Sequence, residues 1–180
     1  MTVEALLGPP ALPASRVAEE ITAALGPMPW LTATGRLEQI LRAWGREQLA
    51  EVPAGLAFDV LRTTGPLAHD TIVRMRAAGR RTGPVVLGAN GAEFIIERGS
   101  APDWNAPRSG LLRPGTLVLL PPPHVCIPDA VAARGWLVPP CHPETGAAVC
   151  AEVTPGRALR EPYLAAVEAA VGEELQRCAA

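Results

Sequence analysis

The chain has 180 residues, a net charge of −2, twenty prolines, seventeen glycines and only 4% aromatic residues, a size and apolar content that fit one folded unit with a substantial core and exclude disorder throughout. All sixteen basic residues are arginine. Without lysine there is no Walker A loop, no kinase strand lysine and no Schiff-base lysine, so P-loop nucleotidases, protein kinases and pyridoxal enzymes are excluded.

In chain order, Met1 to Pro10 carry neither a basic leader region nor an adequate apolar run, and no stretch reaches membrane-spanning length. This predicts a cytoplasmic protein with no membrane contact, and its four cysteines are expected to be reduced thiols. Residues 1–50 read as a helical segment. Ser15 caps a first helix with Glu19 and Glu20 in its early turns and Val17, Ile21 and Leu25 on one face, closed by Gly26-Pro27. A second helix is expected from Thr34, with Leu37, Ile40, Leu41, Trp44 and Gln48 or Leu49 in one stripe, stopping before Pro53. Both are expected to cover a sheet.

Residues 51–140 read as an α+β core. A buried strand over 56–61 precedes a helix over 67–78, whose Ala68, Ile72 and Met75 share a face and whose stop is Gly79; His69 and Asp70 stand at its start, where Asp70 suits the helix dipole. A hairpin over 85–97 turns at Asn90-Gly91, both expected at positive φ in a type I′ turn. Strands follow over 116–123 and 134–140. Residues 141–180 read as a Cys/His loop, a possible strand over 147–153 and a helix with Pro162 in its first turn, on which Leu164, Val167, Val171, Leu175 and Cys178 form one face. The three segments are expected to make one globular unit.

Several side chains are candidates for chemistry. Asp59 lies within an apolar strand, where an unpaired charge is costly, so it marks a special environment or an exposed strand end. Seven arginines in residues 74–113 face three acids, Glu93, Glu97 and Asp103, a local balance of +4. Arg80 and Arg81 follow the helix in a loop suited to anions; with Arg98, Arg108 and Trp104, which can stack on a base or pin its loop, they form a candidate nucleotide and phosphate set or an ordinary solvated surface. His124, Cys126, Cys141, His142 and Cys150 put five soft ligands within 27 residues, though at no standard zinc spacing.

Residues 55–123 also carry a family likeness. Leu56-Ala57-Phe58-Asp59-Val60-Leu61, the helix, the hairpin and Gly115-Thr116-Leu117-Val118-Leu119-Leu120-Pro121-Pro122-Pro123 follow an order that resembles the bifunctional DNA primase/polymerase family. In that family the first strand carries an Asp-x-Asp metal pair, and here Leu61 stands where the second acid belongs. The hairpin should end in a polar run with a phosphate-touching His; here it reads Gly88-Ala89-Asn90-Gly91-Ala92-Glu93, with Glu93 near that position. Some family members add zinc-binding cysteine clusters.

The resemblance implies a mostly antiparallel primase-polymerase-like sheet flanked by N- and C-terminal helices, in a short, catalytically degenerate member. It implies a role around DNA replication as a non-catalytic accessory or regulatory module that binds nucleotide, single-stranded nucleic acid or a protein partner and requires no cofactor. The first alternative is an active primase/polymerase in which Asp59 and Glu93 converge on Mg²⁺ or Mn²⁺. The second is a homodimerising module that pairs through Leu164, Val167, Val171 and Leu175 and touches no nucleotide.

Overall fold

A computed structural model describes residues 28–140 and 152–179 of the chain. In order, the elements are α1 (Pro29–Thr32), α2 (Leu37–Trp44), β1 (Ala50–Pro53), β2 (Phe58–Thr63), α3 (Gly65–Ala77), β3 (Val85–Gly88), β4 (Gly91–Glu97), β5 (Ser109–Leu111), β6 (Leu117–Leu120), β7 (Gly135–Val138) and α4 (Gly156–Ala179). The strands form a five-stranded sheet, ordered β5-β2-β4-β3-β7, and a two-stranded sheet, β1-β6, and all strand pairs are antiparallel. The class is α+β. No helix among the described residues is long and apolar enough to cross a membrane.

Alternation along each strand sorts the core into two layers. Phe58 and Val60 of β2, Ile95 of β4, Val86 of β3 and Trp136 of β7 share one face of the large sheet and pack against α1, α2, β1 and β6. Leu61, Phe94, Ile96, Val85 and Val138 occupy the opposite face, against Ala68, Ile72 and Met75 of α3 and Leu159 of α4. The prolines after β6 serve the first layer. Their own carbonyls are acceptors, and the buried Trp136 indole donates to the oxygens of Pro121 and Pro122 at 3.1 Å each. The Trp44 indole does the same to Leu120, also at 3.1 Å. Leaving such a buried donor unpaired costs about 1–3 kcal/mol.

Several local expectations need correction. The helix expected to run from Thr34 to Pro53 ends at Trp44, because Glu47 takes a left-handed φ of 55° and residues 50–53 form β1, paired to β6 with Val52 opposite Val118. The hairpin turn is not centred on Asn90-Gly91: Gly88 pairs with Gly91, the loop is Ala89-Asn90, and of the expected pair only Gly91 takes positive φ, 104°. Gly91 has another reason to lack a side chain, since a Cβ there would run into the Thr63 carbonyl.

The central helix starts at Gly65, so Asp70 is not in its first turn and instead forms an i,i+4 ion pair with Arg74 at 2.9 Å. The last helix starts at Gly156, which places Pro162 inside it. A proline there frees the carbonyl four residues back, Ala158, and that oxygen accepts from Arg80 Nη1 at 3.3 Å. The expected Ser15 helix lies outside the described residues, as do residues 147–151 of the possible strand over 147–153; just beyond it, Thr154 bridges Ile96 in parallel.

Candidate functional site

The two acids expected to share a metal stand on β2 and β4, whose register fixes where each points. Asp59 is opposite Ile96, and Arg62 is opposite Glu93. Because successive side chains alternate faces, Glu93 shares a face with Arg62, Val60 and Phe58, while Asp59 shares the other with Leu61 and Thr63. Asp59 and Glu93 are therefore on opposite sides of one sheet. The residues present do not fit a shared divalent ion. Asp59 accepts from the Gly99 backbone N–H at 2.7 Å and so holds the turn after β4. Leu61, in the place of a second acid, is 0% exposed in the helix-side core.

Glu93 is buried and divided between two guanidiniums. Its Oε1 accepts from Arg62 Nε at 3.1 Å and Nη2 at 2.7 Å, and its Oε2 from Arg134 Nη2. Arg134 also donates from Nε to the Leu119 carbonyl at 2.9 Å, and its stem lies over Gly88, where a Cβ would come within 2.9 Å of Nη1. One carboxylate serves two arginines, so the cluster retains one net positive charge. The Arg134 side chain is 12% exposed and that of Arg62 36%, which leaves Arg62 as its outward member. The sequence reading did not single out either arginine. Arg62 was within reach, as a basic residue cross-strand from Glu93 in any β2–β4 pairing; nothing local signals Arg134.

The arginines expected to meet phosphate are largely engaged within the protein. Arg80 reaches Ala158 and Glu161, the latter at 2.5 Å. Arg98 donates to the Leu56 carbonyl at 3.0 Å. Arg108 forms a two-pronged pair with Glu174 at 2.8 and 2.7 Å. The hydrogen bond from Arg108 holds the Glu174 carboxyl below the usual carboxylate range, and the same bond raises Arg108. Arg81 is exposed and has no ion-pair partner among the described residues. The local excess of +4 thus meets carboxylates from α4 that are remote in sequence.

Trp104 pins its loop. Its indole donates to Ser109 Oγ at 2.8 Å, its ring packs against Tyr163 at 5.5 Å between centroids, and the Arg160 guanidinium sits 5.9 Å from the ring centroid. Tyr163 continues the seam, donating to the Pro107 carbonyl at 2.8 Å and lying 3.0 Å from the Thr63 hydroxyl.

Of the five soft ligands, Cys141, His142 and Cys150 lie outside the described residues. His124 is exposed and sits 3.1 Å from a Glu47 oxygen; burial, and secondarily Asp129, push the Cys126 thiol up. On α4, Val167 is buried with Leu67 and Tyr163 and Leu164 is half-buried beside them, while Val171 and Leu175 are 38% and 66% exposed. The expected apolar stripe is therefore core at one end and surface at the other.

An open groove of about 640 Å³ runs where β5, the end of β2 and the β3–β4 hairpin tip meet, with Arg62, Gly110, Leu111, Leu112, Asn90 and Arg108 among its lining residues. A smaller one, about 380 Å³, lies between the 100–105 loop and the start of α4, beside Trp104 and Arg157. No model of a known family, curated protein or solved structure matches the chain.

Proposed function

We propose that this chain is a non-catalytic module of primase-polymerase-like architecture that acts in the cytoplasm, around DNA replication, as an accessory or regulatory protein through a protein partner. The observation that carries the reading is the placement of Asp59 and Glu93 on opposite faces of the sheet, with a fully buried Leu61 where a second acid would stand. In-line phosphoryl transfer needs divalent ions held by clustered carboxylates to neutralise charge developing on the triphosphate, and among the described residues no cluster of three or more such ligands forms around Asp59 or Glu93. A protein ligand is favoured over a nucleic acid because Arg80, Arg98 and Arg108 are held by internal acceptors, and the chain as a whole is acidic.

The test is extension of a primed template by purified protein with Mg²⁺ or Mn²⁺. No incorporation is expected. Extension that disappears in Asp59→Asn overturns the reading and establishes an active enzyme. A companion titration of a single-stranded oligonucleotide at low salt should show at most weak binding that Arg80→Ala with Arg81→Ala barely changes. Tight binding with a steep salt slope would move the ligand from protein to nucleic acid.

A further inference from the structure

The two outer strands of the large sheet differ in their edges. The outer side of β7 is covered, since the Trp136 N–H donates to Val125 and the Ile127 N–H to Trp136 at 2.8 and 3.0 Å. β5 has no such cover among the described residues. Its phase against β2 follows from one bond, Leu112 N–H to the Val60 carbonyl at 2.9 Å. With Leu61 opposite Leu111, Arg62 opposite Gly110 and Thr63 opposite Ser109, antiparallel alternation makes Arg62–Gly110 the next bonded pair. The N–H and C=O groups of Ser109 and Leu111 then point away from β2, and among the described residues they have no partner.

This edge borders the larger groove, whose floor is opened by Gly110: a side chain there would meet nothing within 4 Å. The surroundings are apolar at Leu111 and Leu112 and cationic at the rim. Arg62 bonds Glu93 through Nε and Nη2, and among the described residues its Nη1 has no hydrogen-bond partner. Of the two arginines that line the groove, Arg108 is offset by Glu174, whereas Arg62 shares the single charge of Glu93 with Arg134. The rim retains positive charge.

We propose that the β5 edge takes up an extended acidic segment of the protein partner, which adds to the sheet as a further strand and sets a carboxylate against Arg62 Nη1. Unpaired backbone groups demand an extended backbone, and the residual charge selects acidic side chains. The proposal rests on the non-catalytic, partner-binding reading above and specifies that partner's chemistry.

The experiment uses fluorescence anisotropy with a labelled peptide of alternating valine and glutamate, about ten residues long, and the same peptide with glutamine for glutamate. The wild-type protein should bind the acidic peptide about tenfold more tightly than the neutral one, with a difference that shrinks as salt rises. Leu111→Pro removes an outward N–H while leaving the β2 bonds in place, and should weaken binding about tenfold; Leu111→Ala keeps that N–H and should bind nearly as the wild type does.

No binding by the wild type, equal binding of the two peptides, or undiminished binding by folded Leu111→Pro overturns the proposal. So does self-association in sedimentation that Leu111→Pro abolishes, which would make a second copy the occupant, or displacement of the peptide by a tighter-binding oligonucleotide. Failure here without nucleotide incorporation removes only the edge site, whereas incorporation by the wild type removes the reading beneath it.

Discussion

Asp59 and Glu93 lie on paired strands, three register positions apart, yet their surroundings are opposite in kind. Asp59 is half-buried near the β4–β5 turn and satisfies one backbone N–H. Glu93 is enclosed near the hairpin tip, between the largely buried guanidinium of Arg134, which would otherwise lack a counter-charge, and the outward one of Arg62. A single acid at a strand end trims a turn; a single acid under two arginines holds a corner of the fold. The difference teaches that carboxylates on paired strands and close in register need not share a site, because the pleat puts them on opposite faces.

Removing each acid in turn sharpens this contrast. Glu93→Gln leaves Arg62 and Arg134 facing each other without a negative charge and should destabilise the fold by about 3–5 kcal/mol, read from the urea midpoint. Leu61→Asp, which restores the acid spacing on β2, should give no metal-dependent activity. It buries a charge among Ala68, Ile72 and Phe94 and should cost several kcal/mol, about as much as a large core defect, in the same titration. If that variant were stable and gained metal-dependent nucleotide incorporation, the contrast would fail. Asp59→Asn keeps an acceptor for the Gly99 N–H and should cost only about 1 kcal/mol.

The smallest effect concerns the exposed Arg108–Glu174 pair. The Glu174 carboxyl is lowered by its bond to Arg108, so its stabilising contribution is present above the unfolded carboxylate value and is lost as pH falls through the folded one. Glu174→Gln should therefore leave stability at neutral pH almost unchanged and slightly flatten the acid limb of the unfolding curve. A variant whose neutral-pH stability falls as far as that of Glu93→Gln would show that the surface pair is a second anchor.

Much of the fold was legible from local signals. The buried apolar strand expected over 56–61, the helical spacing of Ala68, Ile72 and Met75, the stop at Gly79 and the hairpin between residues 85 and 97 appear near their expected positions, the strand two residues later as β2. Boundaries failed where a non-local partner decides. β1 exists because β6 pairs with it, and an apolar stripe through Trp44 to Leu49 does not announce that partner.

Site reading was limited in the same way. Charge counted in a window of sequence gave an arginine-rich patch, but Glu161 and Glu174 approach it from α4, at separations of 81 and 66 residues. Likewise Arg134 reaches Glu93 across 41 residues, so the most enclosed charge cluster had no sequence signature beyond the Arg62–Glu93 half.

The most direct test of the central claim follows backbone amide chemical shifts by nuclear magnetic resonance while diamagnetic Mg²⁺ is added with a nucleoside triphosphate. The Gly99 amide lies beside Asp59, and those of Ala92 and Phe94 flank Glu93 on the same strand. With the two acids on opposite faces, no single ion bridges them, and the account predicts that these signals do not shift together with one common midpoint as Mg²⁺ is titrated. Shifts of Gly99, Ala92 and Phe94 that saturate together at one equivalent of Mg²⁺ would contradict it.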